Sequence, residues 1–148
     1  MKATELAGPI YLDASALAKL YLPEPMSDQV NQALVGRRDL LVSDLAVTEI
    51  VSSLARRTRE GSMTRLAATR VHRGVLGHLA AGVFQRIDLL PATHRQAERL
   101  LLSLGQTPLR AADALHLALA LASEAVSIAT FDQRLAEASR VVGLAAFP

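Results

Sequence analysis

The stretch "IYLDASALAKLY", residues 10–21, decides how this chain is read. An apolar, strand-forming run climbs to Leu12 and stops on Asp13, and the small residues Ala14 and Ser15 lead into a helix-like "ALAKLY". A buried strand here hands over directly to a helix. A turn at this point would be served by Gly or Asn, and a cap by Ser15 alone. An acid at the junction therefore invites a second reason, with helix capping by Asp13 as the alternative.

Working outward, strand-like and helix-like runs alternate along the chain. The first strand is "GPIYLD" (8–13), with a helix to about Leu22; "PEP" (23–25) breaks the chain before a helix over 27–36. A second strand, "DLLVS" (39–43), ends on Ser43 and Asp44, both good caps for a helix from Leu45 to Arg59. Gly61 stops that helix, and Ser62 begins an Arg-rich one to Ala81. "VFQRIDLL" (83–90) alternates as a third strand; Pro91 opens a helix to Leu104, closed by Gly105. Leu109–Ser123 forms a further helix, "AVSIAT" (125–130) a fourth strand, "FDQRLAEAS" (131–139) a short helix and "VVGL" (141–144) a small edge strand. This alternation predicts an α/β fold with a mainly parallel sheet. Ligands of such open sheets bind beyond the carboxyl ends of the strands, which is where Asp13 falls.

Bulk properties narrow the class. A chain of 148 residues without repeats, low-complexity tracts or linkers reads as one domain, 1–148, long enough for a sizeable core. With 51% hydrophobic and 20% charged residues it is a globular rather than a disordered sequence. "MKATELAGPI" lacks the apolar stretch of a signal peptide, and no apolar run approaches the roughly 18 residues of a membrane span. The absence of cysteine excludes disulfides, thiolate metal sites and thiol nucleophiles, and fits a cytoplasmic protein.

Three further acids stand in positions as odd as that of Asp13. Asp113 interrupts "AADALHLALALA", a helix apolar on every side and so buried all round. A buried carboxylate costs several kcal/mol unless it is partnered, by order of magnitude; Arg110 three residues earlier could be that partner, and so could a metal ion. Glu49 lies off the apolar stripe of its helix (Val47, Ile50, Val51, Leu54), with no Lys or Arg three or four residues away. Asp132 follows the fourth strand as Asp13 follows the first, although Asp is also a common helix cap. Two carboxylates about 5 Å apart repel by roughly 3 kcal/mol at an effective dielectric of about 20. Several acids gathered together are thus improbable as a structural device, whereas an oxygen-rich, cysteine-free cluster suits Mg²⁺ or Mn²⁺.

Four blocks, "YLDASALAKLY", "SDLAVTEIVSSLAR", "LRAADALHLALA" and "IATFDQRLAEAS", together resemble the PIN-domain ribonucleases, and most closely the VapC-type toxins of bacterial toxin–antitoxin pairs. Their order and spacing cover nearly the whole chain. The resemblance implies a three-layer α/β/α sandwich with a mainly parallel sheet of about five strands. It implies one acidic pocket for Mg²⁺ or Mn²⁺ formed by Asp13, Glu49, Asp113 and Asp132, supported by the hydroxyls of Ser15 and Thr130. It implies an endoribonuclease that hydrolyses RNA phosphodiester bonds, and a homodimer neutralised by a cognate, VapB-like antitoxin. Asp13 and Asp113 are the expected direct ligands, Glu49 a further ligand or base, and Asp132 a group acting through water. The middle of the chain carries no motif of that family.

Fourteen of the sixteen basic residues are Arg, and Arg56, Arg57, Arg59, Arg65, Arg70 and Arg73 concentrate in that middle region. They can serve as phosphate or partner contacts, or simply as a solvated helix face. With five aromatic residues and no Trp, base stacking is poorly provided for, so phosphate contacts and substrate shape should dominate RNA recognition. His116 reads as a core histidine satisfied by a hydrogen bond. Phosphatases of the haloacid-dehalogenase type and response-regulator receivers both need a later Lys, and none follows Lys19. The remaining alternative is a non-catalytic module of the same fold that binds a protein or RNA.

Overall fold

The computed structural model describes residues 6–148. The reading of the first ten residues as free of a signal sequence lies, over positions 1–5, outside the described residues. Along the chain run β1 (Ile10–Leu12), α1 (Ala14–Lys19), α2 (Ser27–Leu34), β2 (Leu40–Ser43), α3 (Asp44–Arg59) and α4 (Arg65–Ala80). There follow β3 (Gln85–Ile87), α5 (Pro91–Ser103), α6 (Ala111–Ala122), β4 (Ser127–Ala129), α7 (Gln133–Val141) and β5 (Ala145–Phe147). The strands form one sheet in the order β3–β2–β1–β4–β5, with every neighbouring pair parallel. A five-stranded parallel α/β fold is thus what the alternation of runs predicts.

Strand periodicity divides the core in two. Ile10 and Leu12 point to one face, where α1 to α4 bury Leu17, Val30, Ile50, Leu54 and Val75 against them. Tyr11 points to the other, where α5 to α7 bring Ala97, Leu117, Leu135 and Ala138. β1, β2 and β4 are buried on both faces, as parallel strands covered by helices must be. α6 is buried along most of its length, as its all-round apolar sequence predicts.

This topology fixes where a ligand can bind. From β1 the chain builds outward to β2 and β3 on one side, then crosses to β4 and β5 on the other. Between β1 and β4 two connections leave the sheet in opposite directions, opening a crevice at the carboxyl ends of both strands. Leu12 is in register with Ala129, so Asp13 and Thr130 emerge side by side.

Several expected boundaries shift for identifiable reasons. The Arg-rich helix starts at Arg65, not Ser62: Thr64 accepts from the Ala67 N–H at 3.1 Å, while the Ser62 hydroxyl donates to the Arg57 carbonyl. Ser62 instead belongs to the close of α3, where Gly61 at φ +77° lets the Ser62 N–H reach the Arg57 carbonyl. The third strand spans only Gln85–Ile87 of the expected 83–90 and is largely exposed. The edge strand forms at Ala145–Phe147 rather than 141–144. Val141 is the last residue of α7, and Gly143 at φ +91° turns the chain before the strand can begin. Gly105 does not take the left-handed conformation of a helix-closing glycine, and α5 ends at Ser103 with Leu104 as its cap.

Leu117, fully buried on α6, tests the second core. Leu117→Ala should lower unfolding free energy by about 2–5 kcal/mol in urea titrations. A loss under about 1 kcal/mol would be inconsistent with a close-packed layer beneath α5 and α7.

Candidate active site

Asp13 is the N-cap of α1 and more than a cap. Its Oδ1 accepts from the Ala16 N–H at 2.9 Å and from the Ser15 hydroxyl at 2.6 Å. Its Oδ2 accepts from the Thr130 hydroxyl at 2.5 Å, joining the ends of β1 and β4. Ser15 and Thr130 in turn accept from the N–H groups of Phe131 and Asp132, so the start of the β4–α7 loop is tied to the same carboxylate. Asp13 is buried, and burial holds its carboxyl above the ordinary pKa against the opposing pull of Ser15, Thr130 and Ala16.

Asp113 and Asp132 share a single arginine. Asp113, buried on the first turn of α6, accepts at Oδ2 from the Arg110 backbone N–H at 3.0 Å and from its Nε at 3.3 Å. Arg110 Nη2 donates to Asp132 Oδ2 at 2.6 Å. Asp132 Oδ1 meanwhile caps α7 through the N–H groups of Arg134 and Leu135. Arg110 was a foreseeable partner for Asp113, three residues away; its reach to Asp132 depends on the fold. Asp113 lines the cavity described below, and its Oδ1 accepts no hydrogen bond among the described residues.

Glu49 is held from the other core. Its Oε1 meets Nε2 of His116. His116 Nδ1 lies 2.7 Å from the Tyr11 hydroxyl, which lies 2.7 Å from the Ser43 hydroxyl. An ionised Glu49 can only accept, so Nε2 carries a proton; with the imidazole neutral, Nδ1 accepts from Tyr11. Tyr11 then accepts from Ser43, whose oxygen also accepts the Ala46 N–H as the cap of α3. Burial pushes the Tyr11 hydroxyl pKa upward, keeping it a donor. His116 is thus the hydrogen-bonded core histidine its sequence suggests, but its second partner is a site acid. The chain crosses β1, β2 and α6, so no local spacing could disclose it.

The four acids line one cavity of about 490 Å³ at the carboxyl ends of β1 and β4, together with Ser15, His116 and Arg110. Thr130 supports Asp13 from outside that lining. The lining also includes Lys19, Arg56 and Arg57, with Glu24 bridging two of them: Lys19 pairs with Glu24 at 3.1 Å, and Arg57 pairs with its other oxygen. Of the six arginines singled out in the sequence, Arg56 and Arg57 reach this cavity; Arg59, Arg65, Arg70 and Arg73 are exposed elsewhere on α3 and α4. Lys19 and Glu24 were not expected at the site, and Arg110 was expected only as the alternative to a metal ion at Asp113.

The donor set consists of carboxylate oxygens with one free lone-pair face on Asp113, which suits a hard divalent cation. As the side chains stand, no three acid or imidazole groups among the described residues close on a common point. Between two of those acids lies the guanidinium of Arg110.

The fold and this acid-lined crevice define a class, and comparison with known proteins gives it a name. The PIN domain family model matches residues 10–141, and the chain belongs to that family. It is 34% identical over 140 residues to Ribonuclease VapC46 of Mycobacterium tuberculosis strain H37Rv, covering 92% of this chain and 94% of the relative. Ribonuclease VapC47 of strain CDC 1551 is 30% identical over 140 residues, covering 90% and 92%. Among solved structures, the sarcin-ricin-loop-cleaving toxin VapC20 of M. tuberculosis superposes with a TM-score of 0.70 at 17% identity, covering 87% of this chain and 94% of that one. FitAcB of Neisseria gonorrhoeae gives 0.60 at 20% identity, covering 94% and 96%. These neighbours share the fold. Among the described residues, no helix is long and apolar enough to cross a membrane.

Two outcomes follow from the site's hydrogen bonds. A carboxyl whose pKa is higher folded than unfolded stabilises the protein at low pH and loses that contribution as pH rises from the unfolded value through the folded one. In metal-free buffer the urea stability of Asp13→Asn relative to the parent should therefore rise from pH 4 to neutral pH; equal pH profiles would refute the burial argument. Tyr11→Phe should cost about 1–3 kcal/mol by leaving His116 Nδ1 and the Ser43 hydroxyl without their buried partner. A neutral effect on the urea midpoint would show that this chain of hydrogen bonds adds nothing to stability.

Proposed function

We propose that the protein is a metal-dependent endoribonuclease acting as the toxin of a VapBC-type toxin–antitoxin pair. The observation that carries the reading is one cavity lined both by the four acids and by Arg56 and Arg57. Kinship supports it: the relatives named as ribonucleases match over nine-tenths of this chain at 30–34% identity. The same kinship supports a cognate VapB-like antitoxin, a homodimer and a cytoplasmic setting.

A cluster of acids alone would repel a phosphodiester. Mg²⁺ or Mn²⁺ is the group that suits the oxygen donors, with Asp13 and Asp113 as direct ligands, Glu49 as a further ligand or base, and Asp132 acting through water. Bound there, such an ion supplies positive charge to a phosphoryl oxygen and lowers the pKa of a water molecule. The chain's own residues do the positioning. Ser15, Thr130 and the Ala16 N–H fix both oxygens of Asp13, so its carboxylate does not rotate when solvent enters. His116 holds one oxygen of Glu49 and leaves the other for a ligand or a proton. Arg56 and Arg57 line the same cavity as the acids, where an RNA backbone can lie against them. Recognition then rests on phosphates and RNA shape, in keeping with the scarcity of aromatic residues.

The test is cleavage of structured RNA by purified protein with Mg²⁺, with Mn²⁺, or with a chelator. Cleavage should need metal, and Asp113→Asn should lower the rate by more than the roughly 10–100-fold typical of residues outside the ligand shell. A full rate in that variant, its circular dichroism unchanged, would remove Asp113 from the mechanism. Inert protein whose melting ignores both metals would instead mark the fold as an interaction module.

A further inference from the structure

Arg110 does something at this site that neither its position nor the proposed chemistry requires. Its backbone N–H and Nε both serve Asp113 Oδ2, and its Nη2 serves Asp132 Oδ2. One guanidinium thereby spans two acids brought together from α6 and the start of α7. The burial of the three groups is unequal: the Arg110 side chain is 61% exposed, against 28% for Asp132 and 6% for Asp113. The arginine lies over the acids from the solvent side and can leave without disturbing the core. Its backbone N–H would still satisfy Asp113 and hold the first turn of α6.

The electrostatics set the sign of its effect. A guanidinium on Asp113 and Asp132 occupies lone pairs on both carboxylates, and its charge opposes a divalent cation entering the same space. Asp113 and Asp132 in turn hold the Arg110 pKa above its ordinary value, so it stays charged at any working pH. The other charged groups lining the cavity are Asp13, Glu49, Glu24, Lys19, Arg56 and Arg57. We infer that Arg110 is a tethered counter-ion that competes with the divalent metal for Asp113 and Asp132, and that metal binding releases its guanidinium into the cavity to meet the substrate phosphate. This rests on the proposed metal site and adds a regulation to it. It also accounts for the absence of a closed three-acid cluster among the described residues while Arg110 is docked. An exposed ion pair is weak and screened by salt, so a divalent ion can displace it.

The probe is Mn²⁺ alone, titrated calorimetrically into the full chain at low salt without RNA. Removing the arginine should strengthen metal binding, the reverse of what loss of a supporting residue does. Arg110→Gln should bind Mn²⁺ roughly fivefold more tightly than the parent, the order expected for relief of one exposed ion pair. At saturating Mn²⁺ the same variant should show a raised KM for RNA. Arg110→Met, which keeps the aliphatic stem, provides the same comparison if the Gln variant folds poorly. Unchanged or weaker Mn²⁺ binding in the folded variant, beside a parent that binds and an Asp113→Asn variant that does not, would overturn the counter-ion role and leave the metal site standing. No Mn²⁺ binding by the parent or by either arginine variant would overturn both.

Discussion

A single carboxylate at the end of the central strand ties the site to the fold. Asp13 receives Ser15 and Ala16 from its own helix and Thr130 from the neighbouring strand, with both oxygens engaged. Ser15 and Thr130 pass the constraint on to the loop that carries Asp132. The order β2–β1–β4 places the two strand ends together, and the register of Leu12 with Ala129 aligns them. Burial works against this carboxylate, and the protein retains it there. A stability cost kept at the mouth of a crevice is the usual mark of a group selected for what it does rather than for how it packs.

The rest of the site can be understood as ways of containing acidic charge. Asp13 is contained by hydroxyl and amide donors, Glu49 by a histidine anchored deep in the sheet, and Asp113 and Asp132 by a shared, exposed guanidinium. These solutions differ in permanence. The donors to Asp13 and the Ser43–Tyr11–His116 chain are built into the core and keep their geometry, whereas an arginine at the surface can depart. The buried part of this network is thus set by the two cores, and its exposed part lies at the N-terminus of α6. Glu24 likewise draws Lys19 and Arg57 together, so two of the cavity's basic groups are themselves held by an acid.

Much of this was legible in residues 10–21 and their echoes. β1, β2 and β4 are largely apolar runs because helices cover both their faces, and such runs are visible without coordinates. The outer strands were harder. β3 is short and exposed, so its alternation overstated its length, and β5 is a three-residue segment of small and aromatic residues with weak strand character. At 141–144 the β-branched pair Val141-Val142 suggested a strand, but Val141 completes α7 and the turn at Gly143 moves the strand downstream. Thr64 prevails over Ser62 as a cap because Ser62 is already held within the close of α3.

The sequence by itself determined the alternation of strands and helices, the buried character of α6 and the oddness of four acids, since each depends on neighbours within a few residues. Only the tertiary structure decided their company. Arg110 reaches Asp132 across 22 residues, His116 meets Glu49 across 67, and Thr130 meets Asp13 across 117. Nor could local pattern sort the arginines, because which of them face the cavity depends on how α3 packs beside α1 rather than on their spacing. Local physics selects the elements, but electrostatic pairing between distant side chains exists only after the sheet has set their separation.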